Sequence, residues 1–97
     1  MRIIAKRTLR EFWKRHPTAK GPLKAWHQEV DRADWDSPGA LKSQFRSASI
    51  LPGNRAVFNI AGNHYRLIVK INYPYRIAYI RFIGTHSDYD TIDARTI

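Results

Sequence analysis

Two hydrophobic periods divide this chain. Up to about residue 45 the apolar residues recur every three to four positions, and from Val57 onward they alternate with polar ones. The first period predicts helices. Leu9, Phe12 and Trp13 mark one over Thr8–His16, stopped by Pro17. Pro22 can open a second, whose buried face is marked by Leu23, Trp26, Val30 and Ala33 and which ends before Pro38. Leu41 and Phe45 suggest a short third turn, and Pro52-Gly53-Asn54 forms a loop into the alternating region. Ile3 and Ile4 predict a short opening strand. The Trp and Phe residues of the helices sit at amphipathic spacing and belong to the core.

The second period predicts a β-meander. Gly62-Asn63 lies between two strand-like runs as a two-residue hairpin turn, which sets Ile60 opposite Tyr65, Asn59 opposite Arg66 and Phe58 opposite Leu67. Side chains alternate, so Phe58, Ile60, Tyr65, Leu67, Val69 and Ile71 face the core. Asn59, Arg66, Ile68 and Lys70 then face outward. A third strand runs from about Arg76 to Gly84, after a turn at Tyr73-Pro74-Tyr75. Its inward set is either Ala78, Ile80 and Phe82, or Ile77, Tyr79 and Ile83 with Arg81 among them. Burying Arg81 unpaired costs more than exposing two isoleucines, so the first set is expected inside, with Arg81 and Tyr79 outside. A one-residue slip would reverse this.

Thr85 with Asp88 three residues on has the form of a capping box, so a short C-terminal helix turn should start there. That turn sets His86 and Tyr89 on neighbouring rows of one face. The expected class is α+β: one domain over 1–97, with a small, mostly antiparallel sheet of three to four strands. Two to three N-terminal helices pack on one face of it, and a short helix follows.

Charge sharpens this picture. Seventeen Lys and Arg against eight Asp and Glu give a formal net charge of +9 and a pI near 10.4. Glu29, Asp31, Asp34 and Asp36 form an acidic island suited to pairing with the basic first helix. Between Asp36 and Asp88 there is no acidic residue, while Lys42, Arg46, Arg55, Arg66, Lys70, Arg76 and Arg81 all fall there. Such an imbalance attracts polyanions, whether nucleic acid or an acidic protein. There is no cysteine, no apolar run near the ~20 residues of a membrane span, and no signal-peptide core after Met1. The expectation is a cytoplasmic protein without membrane association.

The outward set has the makings of a site for RNA cleavage without a metal or other cofactor. That reaction uses a ribose 2′-hydroxyl as nucleophile on its own phosphorus. It needs a proton removed, a proton supplied to the leaving 5′ oxygen, and charge stabilised on the phosphorane. Arg66 and Arg81 suit the last task, because guanidinium stays charged and binds phosphate with two parallel bonds. Imidazole is the side chain that titrates near neutral pH, which makes His86 the candidate for proton transfer. Tyr89 could stack on a base or join the relay. Asn59 and Lys70 on the sheet, with Lys6, Arg10 and Lys14 on the first helix, are candidate RNA contacts. The four histidines lack a metal-ligand spacing. A non-catalytic nucleic-acid- or ribosome-binding module would use the same basic face equally well.

The segments VFNIAGNHYRLIVKINY and YIRFIGTHSDYD resemble the HigB family of bacterial toxins, a branch of the RelE/ParE-like superfamily. The FNIxGNxYRL and THxxYD pieces are the specific ones, and Ala61 stands where glycine is common. The resemblance covers essentially the whole chain and implies the RelE/ParE-like fold. It implies an mRNA interferase cutting messages on translating ribosomes, held in check by a HigA-like helix-turn-helix antitoxin. The two would contact operator DNA only as a complex. Asn59, Arg66, Arg81, His86 and Tyr89 match the motif positions. The superfamily also contains gyrase-poisoning members, which leaves the reaction open at this point.

Overall fold

The computed structural model describes residues 1–97, a five-stranded sheet with three helices on one face. The strands are β1 (Arg2–Ile4), β2 (Ser49–Leu51), β3 (Arg55–Ile60), β4 (Tyr65–Asn72) and β5 (Ile77–Thr85). They lie in the order β1-β5-β4-β3-β2, with β1 parallel to β5 and every other pair antiparallel. Helix α1 (Lys6–Arg15) ends before Pro17, which opens a single 3-10 turn. Helix α2 (Lys20–Arg32) follows directly, so Pro22 falls within its first turn, where no intrahelical amide bond is lost. Helix α3 (Pro38–Gln44) starts on a Ser37 cap that accepts from the Ala40 amide at 3.2 Å. No helix is long and apolar enough to cross a membrane.

The core forms between helices and sheet. Leu9 and Phe12 of α1, Leu23, Trp26 and Val30 of α2, and Leu41 of α3 are buried against Phe58, Leu67, Val69 and Ile71. Phe58 is the centre of an aromatic cluster: Phe45 stands edge-on at 5.1 Å between centroids, Trp26 at 5.4 Å, and Trp35 lies stacked at 6.4 Å. The helical Trp and Phe residues are thus structural, as their spacing indicated, although Trp13 is only half-buried.

The hairpin register agrees residue for residue with that read from the sequence. Ile60 pairs with Tyr65, Asn59 with Arg66 and Phe58 with Leu67, and the His64 amide closes the turn on the Ala61 carbonyl at 3.3 Å. The sheet has one strand more than expected, because β2 is only three residues long and too short to show alternation.

Three other expectations need correction. The β4–β5 register shifts between Ile68 and Val69: Ile68 pairs with Phe82, Val69 with Ile80, and Arg81 is left over as a β-bulge. Ala78 and Ile80 face the helices, but beyond the bulge Phe82 joins Val57 and Ile68 in a second cluster, and Ile83 turns back to the main core. Arg76 belongs to the turn instead of the strand, at φ 57°, and donates to Asp34 at 2.6 Å. Part of the acidic island is therefore tied to the β4–β5 turn and not to α1, in an exposed pair worth at most about 1 kcal/mol. Finally, the outer face is not free along its length. Tyr89, Ile92, Ala94 and Ile97 pack over Val57, Ile68 and Phe82, and Ile68 is fully buried. These apolar residues divide the outer face into two polar ends.

Candidate active site

At the hairpin end of the outer face, Arg66 lies between Asn59 on β3 and Gly84 on β5. Gly84 keeps this spot open: a Cβ there would stand 2.5 Å from Cζ of Phe82 and 3.0 Å from Cβ of Asp88. The chain then turns into helix α4 (His86–Tyr89) through the expected capping box. The Thr85 amide donates to Asp88 Oδ2 and the Asp88 amide to Thr85 Oγ1, each at 3.1 Å. The backbone of His86 is fixed as well, its amide donating to the His64 carbonyl at 3.2 Å.

This corner gathers three of the residues singled out in the sequence. The Arg66 guanidinium lies 5.9 Å from the centre of the Tyr89 ring, within cation–π range. It also donates to the carbonyls of Asn63 at 3.3 Å and Tyr65 at 3.4 Å, which leaves it half-buried and held in place. His86 is exposed, with Nδ1 3.3 Å from Asp90 Oδ2. A carboxylate at one imidazole nitrogen orients the ring and leaves the other nitrogen for a reacting proton. The corner thus combines a fixed cation, an aromatic face and an oriented imidazole.

The other end holds a separate group. Lys70 and its cross-strand partner Tyr79 line a cavity of about 500 Å³ together with Arg81, Asn54 and Asn72. No acidic side chain lines it. Arg81 is on the same face of the sheet as Arg66, but its cavity partners are Lys70 and Tyr79 and not Tyr89 or His86. Tyr73 backs this end from the core, and burial pushes its phenol above the usual range, so it stays protonated.

Asn59 is exposed beside Arg66. Lys6, Arg10 and Lys14 are exposed too, but on α1 in the helical layer, behind the sheet from Arg66. Sequence reasoning missed Asp90, Tyr79 and Asn54 as members of these groups. The i,i+4 spacing from His86 could have found Asp90. Tyr79 was legible only as an outward residue, and Asn54 comes close solely because its loop folds over β4, its carbonyl accepting from the Ile71 amide at 2.7 Å.

Comparison with known proteins gives this arrangement a context. Residues 19–92 match the model of a family described as HigB_toxin, RelE-like toxic component of a toxin-antitoxin system. The mRNA interferase toxin HigB of Escherichia coli (strain K12) is 27% identical over 96 residues, covering 97% of this chain and 92% of that protein. The mRNA interferase HigB of Escherichia coli O157:H7 gives the same figures. The mRNA interferase HigB of Escherichia coli O6:H1 is 22% identical over 94 residues, covering 95% of this chain and 91% of that protein. With a fold of α+β type and a family match across most of its length, the chain belongs to the HigB toxin family, the RelE-like toxic components of toxin-antitoxin systems.

Proposed function

We propose that this toxin is an mRNA endoribonuclease that acts on messages in translating ribosomes and is neutralised by a HigA-like helix-turn-helix antitoxin. The observation that carries the reading is the contact of Arg66 with Tyr89, on the same four-residue helix as His86, whose imidazole lies against Asp90. Arg66 holds the scissile phosphate and stabilises the phosphorane. The 2′ oxygen attacks phosphorus, the bond to the 5′ oxygen breaks, and a 2′,3′-cyclic phosphate and a 5′-hydroxyl result. His86 transfers a proton in this exchange, and Tyr89 positions the substrate by stacking on a base. Asn59 contacts the same strand, and Arg81 acts on RNA from the neighbouring cavity. Lys6, Arg10 and Lys14, exposed on α1 in the helical layer, suit contact with ribosomal RNA. The setting is cytoplasmic, and operator DNA is met only through the complex with the antitoxin.

Primer extension on a reporter transcript after induction tests this. Shortened messages should appear with the natural chain and disappear with Arg66→Ala or His86→Ala while antitoxin binding persists. Intact messages with DNA damage would instead indicate a gyrase poison, and intact messages alone a non-catalytic binding module.

A further inference from the structure

We propose that the cavity at the β4–β5 turn is a second RNA subsite. In it Lys70 and Arg81 take the phosphate, and Tyr79 the base, of a substrate nucleotide flanking the one that is cut. This rests on the endoribonuclease reading above and adds to it a site that the reaction itself does not require.

The cations of this chain divide by what they already hold. Arg7, Arg76 and Arg95 are paired with Glu11, Asp34 and Asp93. Arg55 donates to the Ile97 carbonyl, Lys42 to those of Arg46 and Ala48, and Arg66 to the hairpin turn. Lys70 and Arg81 are among the eleven of seventeen cations with neither an ion pair nor a hydrogen-bond partner within the chain, and both are exposed. They nonetheless line the same concavity: alternation from Tyr79 turns Arg81 outward, and the bulge leaves it without a cross-strand partner. Bulges commonly re-aim a side chain beside a functional site. Two uncommitted cations with no carboxylate near them form an anion site.

Other lining groups narrow the anion to a nucleotide. Tyr79 is half-buried next to Lys70 and offers an aromatic surface, while Asn54 and Asn72 supply amides. The Asn72 Oδ1 already accepts from the Tyr75 amide at 3.1 Å, which turns its amide donors to other partners. Cation, aromatic ring and amide are the parts of a single-stranded RNA subsite: phosphate on the charges, base on the ring, edge on the amide.

Distance separates this nucleotide from the reacting one. Lys70 is four residues along β4 from Arg66, about 13 Å at strand rise. Arg81, in the bulge, lies opposite the step between Ile68 and Val69, two to three residues along β4 from Arg66, about 7–10 Å. Buried Ile68 and its half-buried partner Phe82 lie between the two ends. The Arg66 guanidinium is engaged with the Asn63 and Tyr65 carbonyls at the hairpin end, whereas Lys70 and Arg81 line the cavity at the opposite end, so the cavity serves a neighbour in the strand.

The test uses the purified full chain with a dye-labelled 2′-O-methyl RNA oligonucleotide, which binds but cannot be cleaved through a 2′-hydroxyl. Steady-state cleavage of ribosome-bound message is measured in parallel. Lys70→Ala and Arg81→Ala should each weaken oligonucleotide binding about tenfold. The double variant should flatten the dependence of log affinity on log salt by about 1.4, the single-strand value for two phosphate contacts. KM should rise about tenfold in each, with kcat falling less than threefold; Arg81→Lys should recover most of the loss, and Tyr79→Ala should raise KM in its turn. An unchanged salt slope and KM in the double variant, at unchanged Tm, overturns the subsite. So does a loss confined to kcat, which would put Arg81 in the reaction, or a loss confined to antitoxin binding, which would make the cavity a protein contact. Failure of the natural chain to cut any message, with oligonucleotide binding that still depends on Lys70 and Arg81, would instead sink the endoribonuclease reading and keep the subsite.

Discussion

The Arg66 guanidinium lies 5.9 Å from the centre of the Tyr89 ring, which joins the central strand β4 to the four-residue helix α4. So short a helix has no stability of its own and depends on its cap and its contacts. Tyr89 has two candidate roles, as an aromatic surface and as a source of a hydroxyl proton. The contact with Arg66 uses the ring, and Tyr89 also packs on the apolar cluster over Ile68 and Phe82. Tyr89→Phe should therefore cleave within about threefold of the natural rate. Tyr89→Ala should lose about ten- to a hundredfold, the value of one stacked base. Cleavage rates on ribosome-bound message decide it, and a Tyr89→Phe variant as weak as Tyr89→Ala would assign the role to the hydroxyl.

Gly84 sets the geometry of the same corner without touching a substrate. A Cβ at that position would meet Phe82 Cζ at 2.5 Å and Asp88 Cβ at 3.0 Å, one on the outer cluster and one in the cap of α4. Both would have to move. Gly84→Ala should cost about 1–3 kcal/mol by overpacking. Activity should fall further than that loss implies, since Asp88 positions the helix that carries His86. Chemical denaturation and cleavage assays on one preparation would show both effects, and an alanine variant of natural stability would mean that Phe82 yields freely.

Much of this site was legible in the sequence for identifiable reasons. Polar Asn59, Arg66 and Lys70 in one phase of β3 and β4, with Gly62-Asn63 between the strands, leave one register that keeps Phe58 and Leu67 inside, and it places Asn59 next to Arg66. Thr85 and Asp88 announced the cap by spacing alone. The bulge at Arg81 left no such trace. A run such as YIRFIG is apolar in both phases, and a bulge changes phase midway without changing composition, so Ala78 and Phe82 end on opposite faces. The covering of Ile68 by Ile92, Ala94 and Ile97 was equally hidden, because those residues sit in a polar stretch with no period.

Ala61 departs from local backbone preference. It has φ 52°, beside Gly62 at φ 67°, in the turn that presents Arg66. Left-handed backbone crowds a Cβ and costs about 1–2 kcal/mol at a non-glycine residue. Ala61→Gly removes that crowding but gives the unfolded chain more freedom, an opposing term of about 0.4–1 kcal/mol. The net expectation is a gain of about 0.5–1 kcal/mol, or a rise in Tm of several degrees for a domain of this size. Thermal unfolding measures it directly. A lower Tm would show that the alanine methyl makes packing contacts worth more than its strain.

Acid should weaken the fold through His27. Partial burial of this α2 residue, reinforced by the Lys6 ammonium and opposed by Asp31, holds its imidazole below the usual range. The unfolded chain then binds a proton more readily than the native one, so stability rises with pH in this window. The contribution is complete above the ordinary histidine range near 6.5 and is lost as pH falls from there towards the depressed native value. Asp93, held low chiefly by the Arg95 amide, acts in the same direction but only near and below pH 3.8. The two windows do not overlap, which makes His27 separable. Unfolding midpoints at pH 7.5 and 5.5 should differ in the natural chain, and His27→Gln should reduce that difference. Lys6→Ala should reduce it less, because burial and not the ammonium is the larger cause. Equal pH sensitivity in all three chains would place the acid response elsewhere.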